Sequence, residues 1–583
     1  MGTWLTEPLP WLLVIGCPLL AAALLACRAG RSAVIALAPW TALPALLLAL
    51  AVPPGTFARV PWLLFETRLG LDDTGRVFLF FTAALWLAAG LYAQAYLAED
   101  HARIRFFTFF LVTMAGNLGL ILAGDMVSFY LFFAGMSFAS YGLIVHQGDA
   151  EAWRAGQVYI MLVVLGEILL FVGILLAAQV VPQLDFDQVP AALARSPERG
   201  WALALLWAGF GIKAGALPLH VWLPLAHPVA PTPASAVLSG VMIKAGLLGW
   251  LRFLPLGEIG LPSWGIWCLA AGLAAAFFGV VVGVTQDNPK TALAYSSISQ
   301  MGLMTVGVGA AWTVPASWPL VLVALWIYAL HHALAKGALF LGVGVAAAGG
   351  TGWRRGLIVA GLLLPALALA GAPWTSGAVA KIALKNALAP LPATWVGMLD
   401  ILLSLAAIGT TLLMARFLFL AWPRPEPTAS HRLPGMWLSW CVLLAGVAGA
   451  VWLLPWNGFG YAEWAVPSTS YFGANLWPVL AGAGLAWGAW RWGRVERWRV
   501  PAGDVLIPVT WLINYARHRW QAEVRPVLTH WRSHWTFPWQ VWLSRLRQPV
   551  LAERLERDWE RWPVVGMSFL VLATLLAALL SWR

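Results

Sequence analysis

The chain has 583 residues, of which 61% are hydrophobic and only 10% are charged. A soluble globular protein is roughly half apolar and about a quarter charged, so this composition excludes a water-soluble fold. The apolar runs are continuous rather than alternating, which excludes a transmembrane β-barrel. At about 20 apolar residues per crossing, the chain has room for about 15 to 17 transmembrane helices.

Hydrophobic runs predict an all-α integral membrane protein with about 16 transmembrane helices. The predicted spans lie near residues 8–27, 33–53, 76–96, 104–123, 126–146, 156–180, 201–219, 232–254, 263–285, 291–311, 317–346, 356–386, 397–421, 436–455, 473–490 and 564–582. Two spans contain Gly and Pro near their middle, in GIKAGALP at 211–218 and GAPWTSG at 371–377. We expect both helices to be broken there, since freed backbone groups need partners inside the protein. Broken helices in a transporter point to its ion path.

The distribution of basic residues predicts the orientation. With the N-terminus outside, ten Lys and Arg residues fall in the inner connections and five fall in the outer ones. The positive-inside rule favours this arrangement, and we expect the chain to lie in a bacterial inner membrane.

Residues 491–562 differ from the rest of the chain. They contain 13 Arg, ten Trp and seven acidic residues, and no Lys. Arg interleaved with Trp is typical of the lipid headgroup region, so we expect an amphipathic segment on the cytoplasmic face of the membrane. It would lead to a final anchoring helix at 563–583. A solvated linker is the alternative, and nucleic-acid binding is not expected because the positive-inside rule accounts for the charge.

Lysine is rare and its placement is unusual. Only six lysines accompany 30 arginines, and all six lie in or beside apolar stretches: Lys213, Lys244, Lys290, Lys336, Lys381 and Lys385. A GC-rich genome explains the abundance of Arg, but not the retention of Lys in the membrane. A buried Lys can lose its proton near neutrality, whereas Arg cannot. The lysines are therefore candidates for proton sites.

Other ionisable residues lie in the same stretches. They are Glu167, His220, His227, Asp287, His331 and His332. Polar groups in a membrane are costly and mark functional positions by default. His332 and Lys336 share a helix face, as do Lys381 and Lys385. Some of these residues have alternative, structural explanations. Asp287 and Lys290 could cap a short connection, and His220 and His227 could be structural histidines. Lys385 could extend its side chain to the membrane interface.

The sequence predicts no catalytic, cofactor or metal site. Four scattered cysteines form no CxxC pair or iron–sulfur spacing, and neither a phosphate-binding loop nor a dinucleotide fingerprint is present. We therefore expect no redox centre and no nucleotide hydrolysis in this chain.

Four stretches resemble a known family. They are LPLHVWLPLAHPVAPTPASAVLSGVMIKAG at 217–246, QDNPKTALAYSSISQMG at 286–302, HHALAKGALFLGVG at 331–344 and LAGAPWTSGAVAK at 369–381. This order resembles the antiporter-like membrane subunits of respiratory complex I, of Mrp-type cation/proton antiporters and of membrane-bound hydrogenases. The HPVAP and SGVMIK motifs are most similar to those of the large hydrogenase-4 and formate hydrogenlyase membrane subunit.

The resemblance implies two inverted five-helix repeats, at 104–254 and 263–421, each with a broken helix and a half-channel. Residues 1–100 and 422–490 would add further transmembrane helices. Lys213 looks like the lysine of the first broken helix, and Lys381 like the exit lysine of the second. Lys244, His332 and Lys336 look like the residues that connect them, so the implied proton path is Lys213, Lys244, His332, Lys336 and Lys381. The remaining candidates would be partners or modulators: Glu167, His220, His331, Asp287, Lys290 and Lys385.

One position departs from the family pattern. Members usually carry a glutamate on the fifth helix, which pairs with the first lysine, but here Ala134 occupies that position in YLFFAGMSFASYGLI. Glu167 on the next span falls where some members carry an acid, and we hypothesise that it replaces the missing partner of Lys213.

Three functional hypotheses follow. The first is a proton-translocating, non-catalytic subunit of a complex I-like or hydrogenase-like assembly, with other membrane subunits and membrane lipid as its partners. The second is a subunit of an Mrp-type monovalent cation/proton antiporter, although no acidic sodium site is identifiable. The third is a structural scaffold that has lost pumping, for which Ala134 is the best argument.

Overall fold

Long apolar segments joined by short turns fold here as α-helices, because backbone groups in hydrocarbon must satisfy their own hydrogen bonds. The computed structural model describes residues 7–63, 66–181, 183–197, 199–423, 433–453, 469–491 and 500–503. The predicted amphipathic segment 491–562, apart from residues 491 and 500–503, and the predicted final span lie outside the described residues.

The helices follow one another as α1 (Leu9–Leu24), α2 (Arg31–Leu37), α3 (Leu43–Ala51), α4 (Asp73–Tyr96), α5 (Arg103–Leu122), α6 (Met126–Ile144), α7 (Ala150–Ala178), α8 (Val189–Arg195), α9 (Arg199–Ala214), α10 (Trp222–Val229), α11 (Thr232–Val237), α12 (Ile243–Phe253), α13 (Pro262–Gly283), α14 (Pro289–Thr313), α15 (Trp318–Ala347), α16 (Gly352–Ala370), α17 (Ser376–Ala387), α18 (Ala393–Leu420), α19 (Leu433–Leu453) and α20 (Thr469–Arg491). A 3₁₀ turn, Ala38–Ala42, joins α2 to α3, and a π-helical turn, Leu238–Met242, joins α11 to α12. Two strands, β1 (Thr56–Val60) and β2 (Thr67–Leu71), form an antiparallel hairpin.

This is an integral membrane protein. In the described part of the chain, ten helical segments are long and apolar enough to cross a membrane. They are Arg28–Ala51, Asp73–Tyr96, Arg103–Leu122, Met126–Gln147, Ala150–Ala178, Thr232–Phe253, Pro262–Gly283, Pro315–Ala347, Gly352–Ala370 and Ala393–Leu420.

Both predicted helix breaks are present. Helix α9 ends at Ala214, where Gly215 takes a positive φ of 73°, and helix α16 ends at Ala370, where Gly371 takes a φ of 86°. Helix α10, which follows the first break, and the β-hairpin were not among the predicted elements. Arg252 lies in the last turn of α12 and pairs with Asp72 at 2.6 Å.

The hairpin defines one side of the molecule, called the hairpin side. Leu69 bridges to Ala123 and Arg59 pairs with Asp185, so the α5–α6 and α7–α8 connections lie on this side. The α13–α14 turn lies on the opposite side. There Arg416 near the end of α18 pairs with Asp287, and the Gln286 side chain donates to the Val500 carbonyl.

Glycines allow α13 and α14 to approach closely. A methyl group at Gly272 would lie 2.6 Å from the Gly302 carbonyl oxygen, and one at Gly265 would lie 2.8 Å from the Gly309 oxygen. Small residues at this spacing are the usual means of packing membrane helices, which lack a hydrophobic driving force between them. Helix α14 is consequently buried from Thr291 to Trp312, and it forms the core beside α15.

Candidate functional site

Most of the predicted site residues fall into two clusters of buried ionisable side chains. The first cluster lies where α6, α7, α9 and α10 meet, and it contains Glu167 and Lys213. The second lies around α12, α14, α15 and α17, and it contains the other path residues. The Lys213 and Lys244 ammonium groups hydrogen-bond different acceptors, and Lys213 interacts electrostatically with Glu167 whereas Lys244 interacts with Lys336.

Lys213 occupies the last turn of α9, directly before the first break, and is 3% exposed. Its Nζ donates a hydrogen bond of 2.9 Å to the Tyr159 hydroxyl. That hydroxyl donates in turn to the Ser137 carbonyl at 2.9 Å. The rings of Phe133, Tyr159 and Trp222 surround the ammonium, with centroids 6.0, 5.3 and 5.8 Å from Nζ. Aromatic faces attract a cation at these distances.

Glu167 faces the same space from α7. It lines a cavity of about 10 Å³ together with Lys213, Tyr159 and Ser137, and it interacts electrostatically with Lys213. Its Oε2 atom is buried without a hydrogen-bond partner among the described residues. Such an atom is costly unless a charge or a transient partner compensates it. The geometry therefore supports the hypothesis that Glu167 is the acid nearest to Lys213.

Ala134 lies on α6 between Phe133 and Ser137, which both line this cavity, but Ala134 itself is not one of the lining residues. It precedes Ser137 by three residues, a spacing that places both near one helix face. Ala134 is 8% exposed and contributes only a methyl group. Position 134 is therefore within one helical turn of two residues that line the cavity shared by Glu167 and Lys213.

A layer of phenylalanine closes the first cluster toward the hairpin side. The five rings make mutual contacts with centroid separations from 5.0 to 6.1 Å. They belong to Phe129, Phe133, Phe186, Phe210 and Phe253. Phe133 faces Lys213, and Phe186 lies 5.4 Å below the Arg252 guanidinium near the surface. No polar side chain belongs to this group of rings, and we call it the phenylalanine layer.

Lys244 begins the second cluster. Its Nζ donates to the Ser239 carbonyl at 2.8 Å, within the π-helical turn that precedes α12. A π-helical turn leaves carbonyl groups outside the regular i→i−4 pattern, and such turns are frequent at functional sites. The Ser239 hydroxyl contacts the Ser297 hydroxyl on α14 at 2.6 Å.

Lys336 and His332 face Lys244 from α15. Lys336 Nζ donates to the Leu293 carbonyl of α14 at 2.8 Å. His332 is fully buried, interacts electrostatically with Lys244 and Lys336, and neither ring nitrogen has a hydrogen-bond partner among the described residues. An imidazole with both ring nitrogens unpartnered can accept a proton from Lys244 or from Lys336 and donate it to the other.

Lys381 lies beyond the second break. Its Nζ donates to the Ala370 carbonyl at 2.6 Å, which is the last carbonyl of α16. His331 contacts the Ser376 hydroxyl at 2.8 Å at the start of α17 and interacts electrostatically with Lys381 and Lys244. Lys381 and Lys385 line a common cavity of about 40 Å³, which is large enough for roughly one or two water molecules.

The second cluster extends to both sides of the molecule. Toward the hairpin side, Lys385 pairs with Asp400 at 2.6 Å and donates to the Ser404 hydroxyl, and the Asp400 side chain is 61% exposed. Toward the opposite side, Lys290 donates to the Ala230 carbonyl at 2.7 Å, and its charge reaches the buried His227. Asp287 pairs with Arg416 at 3.1 Å, and its side chain is 55% exposed. His220 packs against Phe278 with 5.1 Å between ring centroids.

Several functional candidates were not predicted from the sequence. They are the hydroxyls of Tyr159 and Ser376, the backbone carbonyls of Ser137 and Ser239, and the acid Asp400. A tyrosine in a segment as apolar as α7 is a signal that could have found Tyr159, since a buried hydroxyl needs a partner. Among the described residues no group of three or more His, Cys, Asp or Glu is arranged to hold a metal.

Comparison with known proteins identifies a family and several relatives. Residues 123–417, just over half of the chain, match the family described as NADH:quinone oxidoreductase/Mrp antiporter, TM. The chain is 33% identical to Hydrogenase-4 component B of Escherichia coli strain K12 over 51% of its length. It is 32% identical over 49% of its length to a protein of Rhizobium meliloti strain 1021 that is described as a probable K(+)/H(+) antiporter component.

These matches cover 45% and 28% of the two relatives, so the chain spans less than half of each. The fold is similar to a chain in the structure of the Mrp complex from Dietzia sp. DQ12-45-1b. The TM-score is 0.64 at 23% identity, and the match covers 84% of this chain and 96% of that chain.

Proposed function

Because this chain belongs to the NADH:quinone oxidoreductase/Mrp antiporter membrane family, we propose that it is an ion-translocating, antiporter-like subunit of a multisubunit membrane complex. The observation that carries the proposal is the second cluster. Its ionisable groups run from Lys290 on one side of the molecule to Lys385 and Asp400 on the other, through a largely apolar core.

Protons would move along Lys213, Lys244, His332, Lys336 and Lys381. Glu167, His220, His331, Asp287, Lys290 and Lys385 are the proposed partners and modulators. A proton on one lysine makes the next proton on its neighbour less favourable, because like charges repel strongly where water is scarce. The sites then titrate as a coupled set rather than independently. This chain would do no redox chemistry itself, and partner subunits would supply the driving force.

The proposed architecture has about 16 spans, with two inverted repeats at 104–254 and 263–421 that each contribute a half-channel. The two helix breaks support this, since each lies beside a path lysine: Lys213 in the first repeat and Lys381 in the second. We propose a bacterial inner membrane with the N-terminus outside, and lipid contact through segment 491–562.

Variants of the path lysines test the proposal. In vesicles that contain the assembled complex, we expect Lys213→Ala and Lys381→Ala to abolish proton flux while the partner subunits still co-purify. Lys381→Arg should abolish it as well, because arginine keeps the charge but cannot release the proton. Arg354→Ala, at an exposed position outside the path, is the control. Normal flux in either alanine variant would contradict the named path and favour the scaffold hypothesis.

Membership of a monovalent cation/proton antiporter remains the second candidate function. The observation that favours it is the nearly equal identity to the Rhizobium meliloti protein and to the hydrogenase component. A proton flux that requires sodium or potassium in reconstituted vesicles would select this function. Redox subunits among the proteins that co-purify in mild detergent would select the first one.

A further inference from the structure

We propose that Tyr159 is a positioning residue for Lys213, and that its hydroxyl takes over the hydrogen bond that an acid at position 134 would otherwise make. This inference rests on the proposed function, because it assigns a role in the same ion path. It is carried by the bond of 2.9 Å between Lys213 Nζ and the Tyr159 hydroxyl.

The Tyr159 hydroxyl is held rigidly. Tyr159 is 1% exposed, and its hydroxyl donates to the Ser137 carbonyl at 2.9 Å and contacts the Ser140 hydroxyl. Ser140 donates to the same carbonyl at 2.9 Å, so the carbonyl keeps a partner if Tyr159 turns away. The ring packs edge-to-face on Trp222, with 5.1 Å between centroids. The hydroxyl can therefore change its acceptor without moving the ring.

A hydroxyl offers Lys213 something that a carboxylate does not. A carboxylate only accepts hydrogen bonds, so it favours the ammonium form, whereas a hydroxyl both donates and accepts. When Lys213 is charged, its ammonium donates to the Tyr159 oxygen. When Lys213 is neutral, the Tyr159 proton can turn from the Ser137 carbonyl to the amine nitrogen. Lys213 thus keeps one partner and one position in both states.

In this arrangement, two residues together replace the missing acid at position 134. Tyr159 sets where the Lys213 side chain lies, and the Glu167 carboxylate, whose Oε2 atom has no hydrogen-bond partner among the described residues, supplies the charge that responds to the Lys213 proton. An acid at position 134 would combine both roles in one side chain. The division explains how Ala134 can be compatible with an otherwise complete set of path lysines.

The test compares Tyr159→Phe with the wild type by the pH profile of proton flux in vesicles containing the assembled complex. The ring remains, and one hydrogen bond to a charged group is lost. We expect flux to fall about tenfold. The limb of the pH profile that Lys213 sets should move toward acid by roughly one pH unit, because the lost bond is stronger for the charged ammonium than for the neutral amine. Tyr92→Phe is the matched control, since the Tyr92 hydroxyl is equally buried but donates to the Leu341 carbonyl, outside the path.

A second variant keeps the test decisive if Tyr159→Phe does not assemble. Ala134→Glu restores the family acid, and we expect it alone to move the Lys213 limb of the pH profile toward alkali. Where Tyr159→Phe does assemble, the double variant Ala134→Glu/Tyr159→Phe should recover proton flux. An unchanged profile in Tyr159→Phe, or no rescue by Ala134→Glu, would overturn the inference. Lys213→Ala separates the two proposals: full flux in that variant contradicts the proposed function, whereas lost flux beside a normal Tyr159→Phe profile contradicts only the role of Tyr159.

Discussion

The deepest lysines share one feature: each ammonium is bound by a neutral oxygen rather than by a carboxylate. Lys213 donates to a hydroxyl, and Lys244, Lys336 and Lys381 donate to backbone carbonyls. A neutral amine still has protons to donate, so these bonds can survive the loss of a proton. Lys385, whose side chain is 29% exposed, differs and pairs with Asp400. If these lysines exchange protons as proposed, the deep ones would keep the same partner in both charge states.

Asp100 allows a prediction outside the membrane helices. It lies in the α4–α5 turn and accepts hydrogen bonds from His146 Nε2 at 3.1 Å and from the Ala102 amide at 2.7 Å. Burial favours the protonated carboxyl, but the hydrogen bonds from His146 and Ala102 outweigh it, and the pKa of Asp100 lies below its ordinary value. The resulting stability is present above the unfolded-state pKa of about 3.9 and is lost as the pH falls through the folded-state pKa.

We therefore expect Asp100→Asn to lower the Tm at pH 7 and to differ progressively less from the wild type as the pH is lowered from about 5 to about 3. The measurement is thermal unfolding in detergent across that range. Asp149→Asn is the control, because asparagine caps helix α7 about as well as aspartate does. A difference in Tm that persists unchanged at the acid end would show that the charge of Asp100 is not what stabilises the turn.

At the scale of elements, the two broken helices depend on close backbone approaches. A methyl group at Gly377 would overlap the Ala368 carbonyl oxygen and would lie 2.9 Å from the His331 ring. Helix α17 must therefore pass directly against the end of α16. This contact places Lys381 under the last carbonyl of α16 and His331 beside the start of α17.

We expect Gly377→Ala to displace α17, to lower the Tm by several degrees and to reduce proton flux strongly. Gly397→Ala is the matched control on the next helix, because nothing lies within 4 Å of the added methyl group. That control should keep or slightly raise the Tm, since alanine favours a helix over glycine. Wild-type Tm and flux in Gly377→Ala would show that the close approach is not required.

The sequence predicts the elements better than their partners. Glycine and proline mark both breaks, and Gly215 and Gly371 do take the left-handed conformation there. The π-helical turn at Leu238–Met242 was not predictable, because one extra residue in a turn leaves no clear trace in a hydrophobic pattern. The partners of the buried charges were missed for another reason: Arg252 meets Asp72 across 180 residues, and Lys213 meets Tyr159 across 54. Only the fold brings such residues together.

At the scale of the whole molecule, the orientation can be tested with a natural cysteine. Cys27 is exposed in the turn after α1, on the side opposite the hairpin. If the N-terminus is outside, a membrane-impermeant maleimide should label a variant that retains only Cys27 in inverted vesicles and not in intact spheroplasts. Trp62→Cys, in the exposed hairpin turn, should give the reverse result in the same cysteine-free background. Labelling of Cys27 in intact spheroplasts would reverse the proposed topology.

The phenylalanine layer has a consequence for the energy balance of the cell. A proton that reaches Lys213 meets five rings on its way to the hairpin side, and a charge gains nothing from entering such a medium. If the chain moves protons as proposed, this layer would act as electrical insulation and would prevent the membrane potential from discharging past Lys213. Under the same proposal, we expect a polar side chain inserted among these rings to let protons leak across the membrane, and to slow growth without unfolding the protein.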